Sequence, residues 1–227
     1  TISLGIGQGY NNFTMLQLAS ATATLVSGGQ RYKPRLVREV EDVVTGERRV
    51  LVNDALPPLP LKPEHVELIN RALYGVTQEG TSVRSFIGAT YKSGGKTGTA
   101  QAIGVKANEH YNAAKLEEAQ RDHSLYMAFA PLEAPTIAVA VIVENAGWGS
   151  DSAAPMSRRV FDYVLNGTVP SEEDMALTRE GKSTTPVGKP RPAGEVLLPG
   201  AAAIALPPAV PPTQRVAQGA AQAVPAK

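Results

Sequence analysis

The chain has 227 residues and a mass of 23.9 kDa, with 22 Lys and Arg against 21 Asp and Glu for a formal net charge of +1. That balance removes the electrostatic argument for nucleic acid or an anionic membrane surface as a partner. The absence of cysteine excludes disulfides, thiolate metal sites and a thiol nucleophile.

The sequence opens at Thr1 without the basic and apolar regions of a signal peptide, and it reads as a piece of a longer chain. Its longest apolar run, Ile137–Val143, is far short of the roughly 20 residues that cross a bilayer. An upstream anchor stays open.

Met15, Leu18, Ala19, Thr22, Leu25 and Val26 recur at helical spacing and predict a helix over 14–26 that stops at Gly28-Gly29. Segments 35–44 and 48–52 flank Thr45-Gly46-Glu47 in the pattern of a hairpin, which the cluster Pro57-Pro58-Leu59-Pro60 ends. A second helix is predicted over 63–78, with Pro63 suited to its first turn and Gly80 to its stop. Residues 91–103 are rich in Gly and Thr. The apolar runs 125–130 and 136–143, separated by Pro131 and Pro135, resemble neighbouring buried strands joined by a tight turn. Between them and the Gly/Thr stretch lies a polar insertion over 104–122 with a short helix. A last helix over 152–165 closes at Gly167.

The order helix, hairpin, helix, three strands, helix predicts an α/β domain of the α+β type over 1–169, an antiparallel sheet flanked by helices. Composition changes at 170. Residues 171–227 have no Phe, Tyr or Trp and carry nine of the 18 prolines. Such a segment buries too little surface to offset its ordering entropy, so 170–227 is expected to be a Pro/Ala-rich disordered tail.

Gly94-Gly95-Lys96-Thr97-Gly98-Thr99-Ala100 is the local sequence that asks for a chemical reason. It is not a phosphate-binding loop, because Thr90 stands where that loop needs its first glycine. Nor is Gly5-Ile6-Gly7-Gln8-Gly9-Tyr10 a dinucleotide fingerprint, since Tyr10 replaces the third glycine. On a strand, Lys96 and Gly98 point to one face, Thr97 and Thr99 to the other. Lys96 then offers a cation for a carboxylate, Thr97 or Thr99 a hydroxyl, Gly98 a gap for a substrate, and the Thr99 amide a donor for a developing oxyanion. A Gly-rich bend with a solvated lysine is the plainer reading of the same residues.

Lys96-Thr97-Gly98 resembles the third signature of the penicillin-binding protein and serine β-lactamase superfamily. Gly5–Tyr10, Tyr74-Gly75-Val76, Thr99-Ala100-Gln101, Lys106-Ala107-Asn108-Glu109, Arg121-Asp122-His123, Ala128-Phe129-Ala130-Pro131 and Val143-Glu144-Asn145 extend the resemblance over roughly 1–167, toward the elongation-type class B transpeptidases. The resemblance implies an enzyme whose serine attacks the penultimate D-alanine carbonyl of a peptidoglycan stem peptide, expels D-alanine and passes the acyl group to a neighbouring stem amine. By position, Lys96 and Thr97 would hold the terminal carboxylate, Gly98 admit the substrate and the Thr99 amide form half the oxyanion hole. β-Lactam antibiotics would bind the same place. The family further implies a membrane glycosyltransferase and other elongation-complex proteins as partners, a periplasmic domain anchored in the inner membrane, and neither cofactor nor metal. A serine β-lactamase, a penicillin sensor and a noncatalytic scaffold module whose tail docks a partner are the alternatives.

The chain departs from the family pattern in having no Ser-x-Asn, and its one Ser-x-x-Lys, Ser93-Gly94-Gly95-Lys96, shares a lysine with the third motif. A helix stacks serine and lysine one turn apart, whereas a strand separates them by about 10 Å. Tyr10-Asn11-Asn12 imitates a second motif but falls at the wrong place in the order. The nucleophile, its lysine and the anchor are therefore expected upstream of Thr1, and the 227 residues alone are expected to be inactive. His65, His110 and His123 lack metal-ligand spacing. Asp122 and His123 are expected to brace the insertion, Glu144 and Asn145 to form a turn, and Trp148 to pack on the domain.

Overall fold

The computed structural model describes residues 11–104, 111–112, 115–182 and 185–196. Helix α1 (Met15–Val26) begins where the Thr14 hydroxyl accepts the Gln17 amide at 3.2 Å and Gln17 Oε1 accepts the Thr14 amide at 2.9 Å. Two donors that no helical carbonyl can reach are thus satisfied by side chains. Strand β1 (Arg31–Tyr32) follows, then the hairpin of β2 (Glu39–Glu41) and β3 (Arg48–Val50), and β4 (Ala55–Leu56) returns to pair antiparallel with β1. The β1–β4 pair was not predicted, because two-residue strands are too short to show a period. Asp42 shapes the hairpin turn by accepting the amides of Val44 and Thr45 at 2.8 and 2.9 Å, and those bonds hold its carboxyl below the usual carboxylate range.

Helix α2 (Pro63–Gln78) takes Pro63 at its start, where an amide would lack a helical partner anyway. A single turn, α3 (Val83–Phe86), leads to the central sheet of β5 (Gly94–Ala100), β6 (His123–Ala130) and β7 (Ile137–Val143), antiparallel throughout and in the order β5-β6-β7. Helix α4 (Ala153–Asn166) ends at Gly167, whose φ of 64° closes the helix in the left-handed region. The polar insertion before β6 contains one short 3-10 turn, Glu118–Gln120, among its described residues.

Alternation along β6 sorts the packing. Tyr126, Ala128 and Ala130 join Phe86 of α3 and Ala153, Ala154 and Phe161 of α4 in the buried core, with Val139, Val141 and Val143 of β7 beside them. Helix α1 packs on β6 and β7, and α2 packs on β5. The antiparallel sheet flanked by helices is therefore as the sequence predicts.

The disordered tail is corrected over its first part. Thr168–Val169 (β8) pairs with Arg191–Pro192 (β9), and Glu172–Arg179 forms helix α5, with Ser171 Oγ accepting the Asp174 amide at 3.0 Å. Asp174 is 1% exposed and receives Arg159 Nε of α4 at 2.9 Å as well as the same guanidinium's Nη2. Composition overlooked this segment because a helix cap and a buried ion pair fasten it, and neither needs an aromatic side chain. Residues 197–227 lie outside the described part of the chain.

Candidate active site

Strand β5 is an edge strand. Lys96 stands opposite Met127, Thr97 opposite Tyr126, Gly98 opposite Leu125 and Thr99 opposite Ser124, and among the described residues no strand pairs with the other side of β5. Edge position lets one ligand address both side-chain faces of the strand, since a chain lying along the open edge meets Lys96 from one side and Thr97 from the other. Lys96 is exposed, and its Nζ donates to the Thr97 carbonyl at 2.8 Å. It forms no ion pair among the described residues, so its charge is not spent on a carboxylate there. Thr97, Gly98 and Thr99 are partly buried. The four predicted residues thus lie in one run on the sheet's open edge.

The glycines of this run have different reasons. A β-carbon on Gly95 would stand 2.3 Å from Tyr126 Oη, so a side chain there displaces a buried phenol. A β-carbon on Gly98 would meet, among the described residues, only Leu125 Cβ at 3.4 Å, close to ordinary contact. Internal packing requires the glycine at 95, whereas the bare position at 98 leaves room on the face shared with Lys96. Behind Gly98 the opposite holds. A β-carbon on Gly149 would lie 2.3 Å from the Leu125 oxygen and 2.6 Å from the Gly98 oxygen, so the loop after β7 presses its backbone directly on the β5–β6 ladder. Ser124 Oγ secures that loop by donating to the Trp148 carbonyl at 2.9 Å and accepting the Ala153 amide at 3.0 Å.

The end of α2 fastens β5 from its own side. Thr77 Oγ1 donates to the Ser93 carbonyl at 2.8 Å, and Thr81 Oγ1 lies 2.9 Å from Thr97 Oγ1. Next to Thr81, Ser82 is buried, with its hydroxyl 2.8 Å from Tyr126 Oη. Burial pushes the Tyr126 phenol up to about 12, against a smaller opposing effect of the Ser82 bond. Further back, Asp162 takes two bonds from Arg158 Nε at 2.8 and 2.9 Å and one from the Tyr91 hydroxyl at 2.9 Å, while Arg158 Nη1 donates to the Ile87 carbonyl at 3.1 Å. Burial first, and Asp162 next, raise the Tyr91 phenol.

Asp122 is buried and accepts the Ala102 amide at 3.4 Å, and His123 Nδ1 accepts the Asn145 amide at 3.0 Å. Asp122 braces the insertion, as expected, its own amide also donating to the Tyr111 hydroxyl at 2.9 Å, whereas the bond of His123 holds the turn after β7 instead. Asn145 has φ 56° and forms the expected turn. Trp148 corrects the sequence reading: its carbonyl is the anchored part, while the side chain is 66% exposed instead of packed. Ser93 is 2% exposed on the approach to β5, outside any helix, so its spacing to Lys96 is the coincidence anticipated. Gly5–Tyr10 and Lys106–Glu109 lie outside the described residues. Thr81, Ser82, Tyr126 and Gly149 were not singled out from sequence. Gly80-Thr81-Ser82 after a helix is an ordinary stop signal, and only the paired strand reveals what it touches.

An open-edge Lys-Thr-Gly strand, backed by helices on both faces of an antiparallel sheet, defines a class of proteins. The chain belongs to the penicillin-binding protein transpeptidase family, whose transpeptidase domain model matches residues 1–162. Among its relatives, peptidoglycan D,D-transpeptidase MrdA of Haemophilus influenzae is 42% identical over 177 residues, 76% of this chain and 27% of that protein. MrdA of Escherichia coli is 38% identical over 170 residues, 74% of this chain and 26% of the relative. The fold is similar to a crystal structure of Pseudomonas aeruginosa PBP2 in complex with WCK 5153, with a TM-score of 0.55 and 34% identity over 71% of this chain and 32% of that one. The chain spans about a quarter of the length of the MrdA relatives it matches.

Proposed function

We propose that this chain supplies the Lys-Thr-Gly wall of a peptidoglycan D,D-transpeptidase of cell-wall elongation, with the nucleophilic serine contributed by residues outside these 227. The observation that carries the reading is the contrast between Gly95, which Tyr126 requires, and Gly98, which no described neighbour requires, two residues from a lysine with no ion pair among them. A gap beside an uncommitted cation on an open strand edge fits an extended peptide that ends in a carboxylate.

In this reading the stem peptide lies along β5, with its terminal carboxylate held by Lys96 and Thr97. The serine oxygen bonds to the penultimate D-alanine carbonyl, and the negative charge that develops on the carbonyl oxygen is met by backbone amides, that of Thr99 among them. Collapse breaks the peptide bond and releases D-alanine, whose nitrogen takes up a proton in place of the one the serine hydroxyl gave up on attack. The amine of a second stem then attacks the acyl-enzyme and returns the serine. β-Lactams occupy the same wall, in keeping with the imipenem acyl-enzyme complex of Mycobacterium tuberculosis penicillin-binding protein A, 29% identical at a TM-score of 0.54.

The test uses the intact protein with a stem pentapeptide donor and an amine acceptor. Release of D-alanine with formation of the cross-linked product supports the reading, and hydrolytic turnover of penicillin without cross-linking overturns it in favour of a β-lactamase. The same reading puts the domain in the periplasm, anchored in the inner membrane by a segment outside this chain, beside a membrane glycosyltransferase and other elongation-complex proteins. Protease added to spheroplasts digests a periplasmic domain and spares a cytoplasmic one. In-cell cross-linking from the domain yields or fails to yield the glycosyltransferase.

A further inference from the structure

We infer that Thr81 is a positioning residue for carboxylate recognition: it donates its hydroxyl proton to Thr97 and so commits the Thr97 proton to the ligand. The inference rests on the proposed function and adds to it a residue on another element. Thr81 and Thr97 have their hydroxyl oxygens 2.9 Å apart, at a distance where either could donate. A hydroxyl carries one proton, and an ionised carboxylate only accepts. When Thr97 donates to a carboxylate, its remaining capacity toward Thr81 is as an acceptor, and Thr81 must be the donor. The chain of donation therefore runs from Thr81 to Thr97 to the ligand, and each bond polarises the next.

Thr81 is well placed to fix this direction. The next residue, Ser82, is 1% exposed, and both its amide and its hydroxyl donate to the Val76 carbonyl at 3.1 Å, while the hydroxyl also contacts Tyr126. Four residues before Thr81, Thr77 ties the Ser93 carbonyl, four residues before Thr97. The turn and the strand are thus riveted at matching intervals, which fixes Thr81 beside Thr97. Thr81 is itself exposed, so the core does not explain its contact with the strand.

The experiment compares acylation of the intact protein by benzylpenicillin and by its methyl ester, which has the same ring but no ionised carboxylate. Thr81→Val keeps the shape and removes the donor. It is expected to slow acylation by the acid about tenfold, the scale of one hydrogen bond to a charged ligand, and to leave the slower ester reaction and the melting temperature unchanged. Thr81→Ser should restore the acid reaction. If Thr81→Val slows acid and ester equally, or serine fails to rescue, the residue is merely structural and the inference is overturned. If Thr97→Val slows the acid reaction while Thr81→Val does not, Thr81 is idle and the inference fails alone. If neither Lys96→Ala nor Thr97→Val changes acylation, the transpeptidase reading fails and takes the inference with it.

Discussion

Gly149 lies over Gly98 so closely that a β-carbon at 149 would stand 2.6 Å from the Gly98 carbonyl oxygen and 3.0 Å from its nitrogen. The loop after β7 is thereby a backstop for the strand that carries the Lys-Thr-Gly run. Backbone cannot yield as a flexible side chain does, so Gly149→Ala must push the loop or the strand away. The expected outcome in the intact protein is a loss of about 1–3 kcal/mol of stability together with slower penicillin acylation. Unfolding midpoints and acylation rates measured on one preparation check it, and an unchanged rate would show that the backstop does not matter to the site.

The two glycines flanking the lysine and threonine should behave in opposite ways. Gly95→Ala drives a methyl group into the Tyr126 hydroxyl and is expected to lower thermal stability. Gly98→Ala meets only Leu125 Cβ at 3.4 Å, so it should fold like the parent and acylate more slowly, because the methyl occupies the space left for the ligand. Melting curves paired with acylation rates separate the two effects. A Gly98→Ala protein with full activity would mean that the gap is not used.

Most of the frame around this site was legible because it rests on local rules. Apolar spacing with the Gly28-Gly29 stop, Pro63 at a helix start and Gly167 at a helix end are signals that act within a few residues, and the helices lie where they place them, whereas the Thr14 cap with Gln17 became visible only in the structure. Lys96, Thr97 and Gly98 were legible as a short motif. What supports them was not, because Thr81 meets Thr97 and Gly149 meets Gly98 across 16 and 51 residues of chain, and neither partner stands out by residue type. The ordered segment after 170 was missed for a related reason. Its fastenings include the Ser171 cap, the β8–β9 pairing and the charge pair of Arg159 with Asp174, and a count of apolar residues registers none of them.

That charge pair yields a stability prediction. Asp174 is 1% exposed, and Arg159→Met removes the guanidinium while leaving a buried carboxylate. The expected cost is about 3–5 kcal/mol, the scale of removing one partner of a buried ion pair, whereas adding Asp174→Leu should recover much of it by removing the other charge as well. Urea unfolding of parent, single and double variants decides the matter. Equal stability of all three would show that α5 is not held to α4 by this pair.

Alkaline stability should report the buried phenol of Tyr126. In the unfolded chain a tyrosine ionises near 10, and in the fold Tyr126 keeps its proton to about 12. Between those values the unfolded state has lost a proton that the folded state retains, so stability is fully present below about pH 10 and falls as the pH rises toward 12. Tyr126→Phe should flatten this part of the curve while costing about 1 kcal/mol at neutral pH through the lost Ser82 bond. Tyr91, also raised, continues to titrate in the variant, so the measurement is the difference between the two stability curves.

The central claim is that the Lys96 ammonium on the open edge of β5 grips the carboxylate of the acyl donor. Its most direct test is the second-order rate at which labelled penicillin acylates the intact protein, with Lys96→Ala compared with the parent at matched folding. The account predicts a fall of about 100-fold or more, the scale of removing one preorganised electrostatic contact from an acyl-transfer site. Acylation of the Lys96→Ala protein at the parent rate would contradict it.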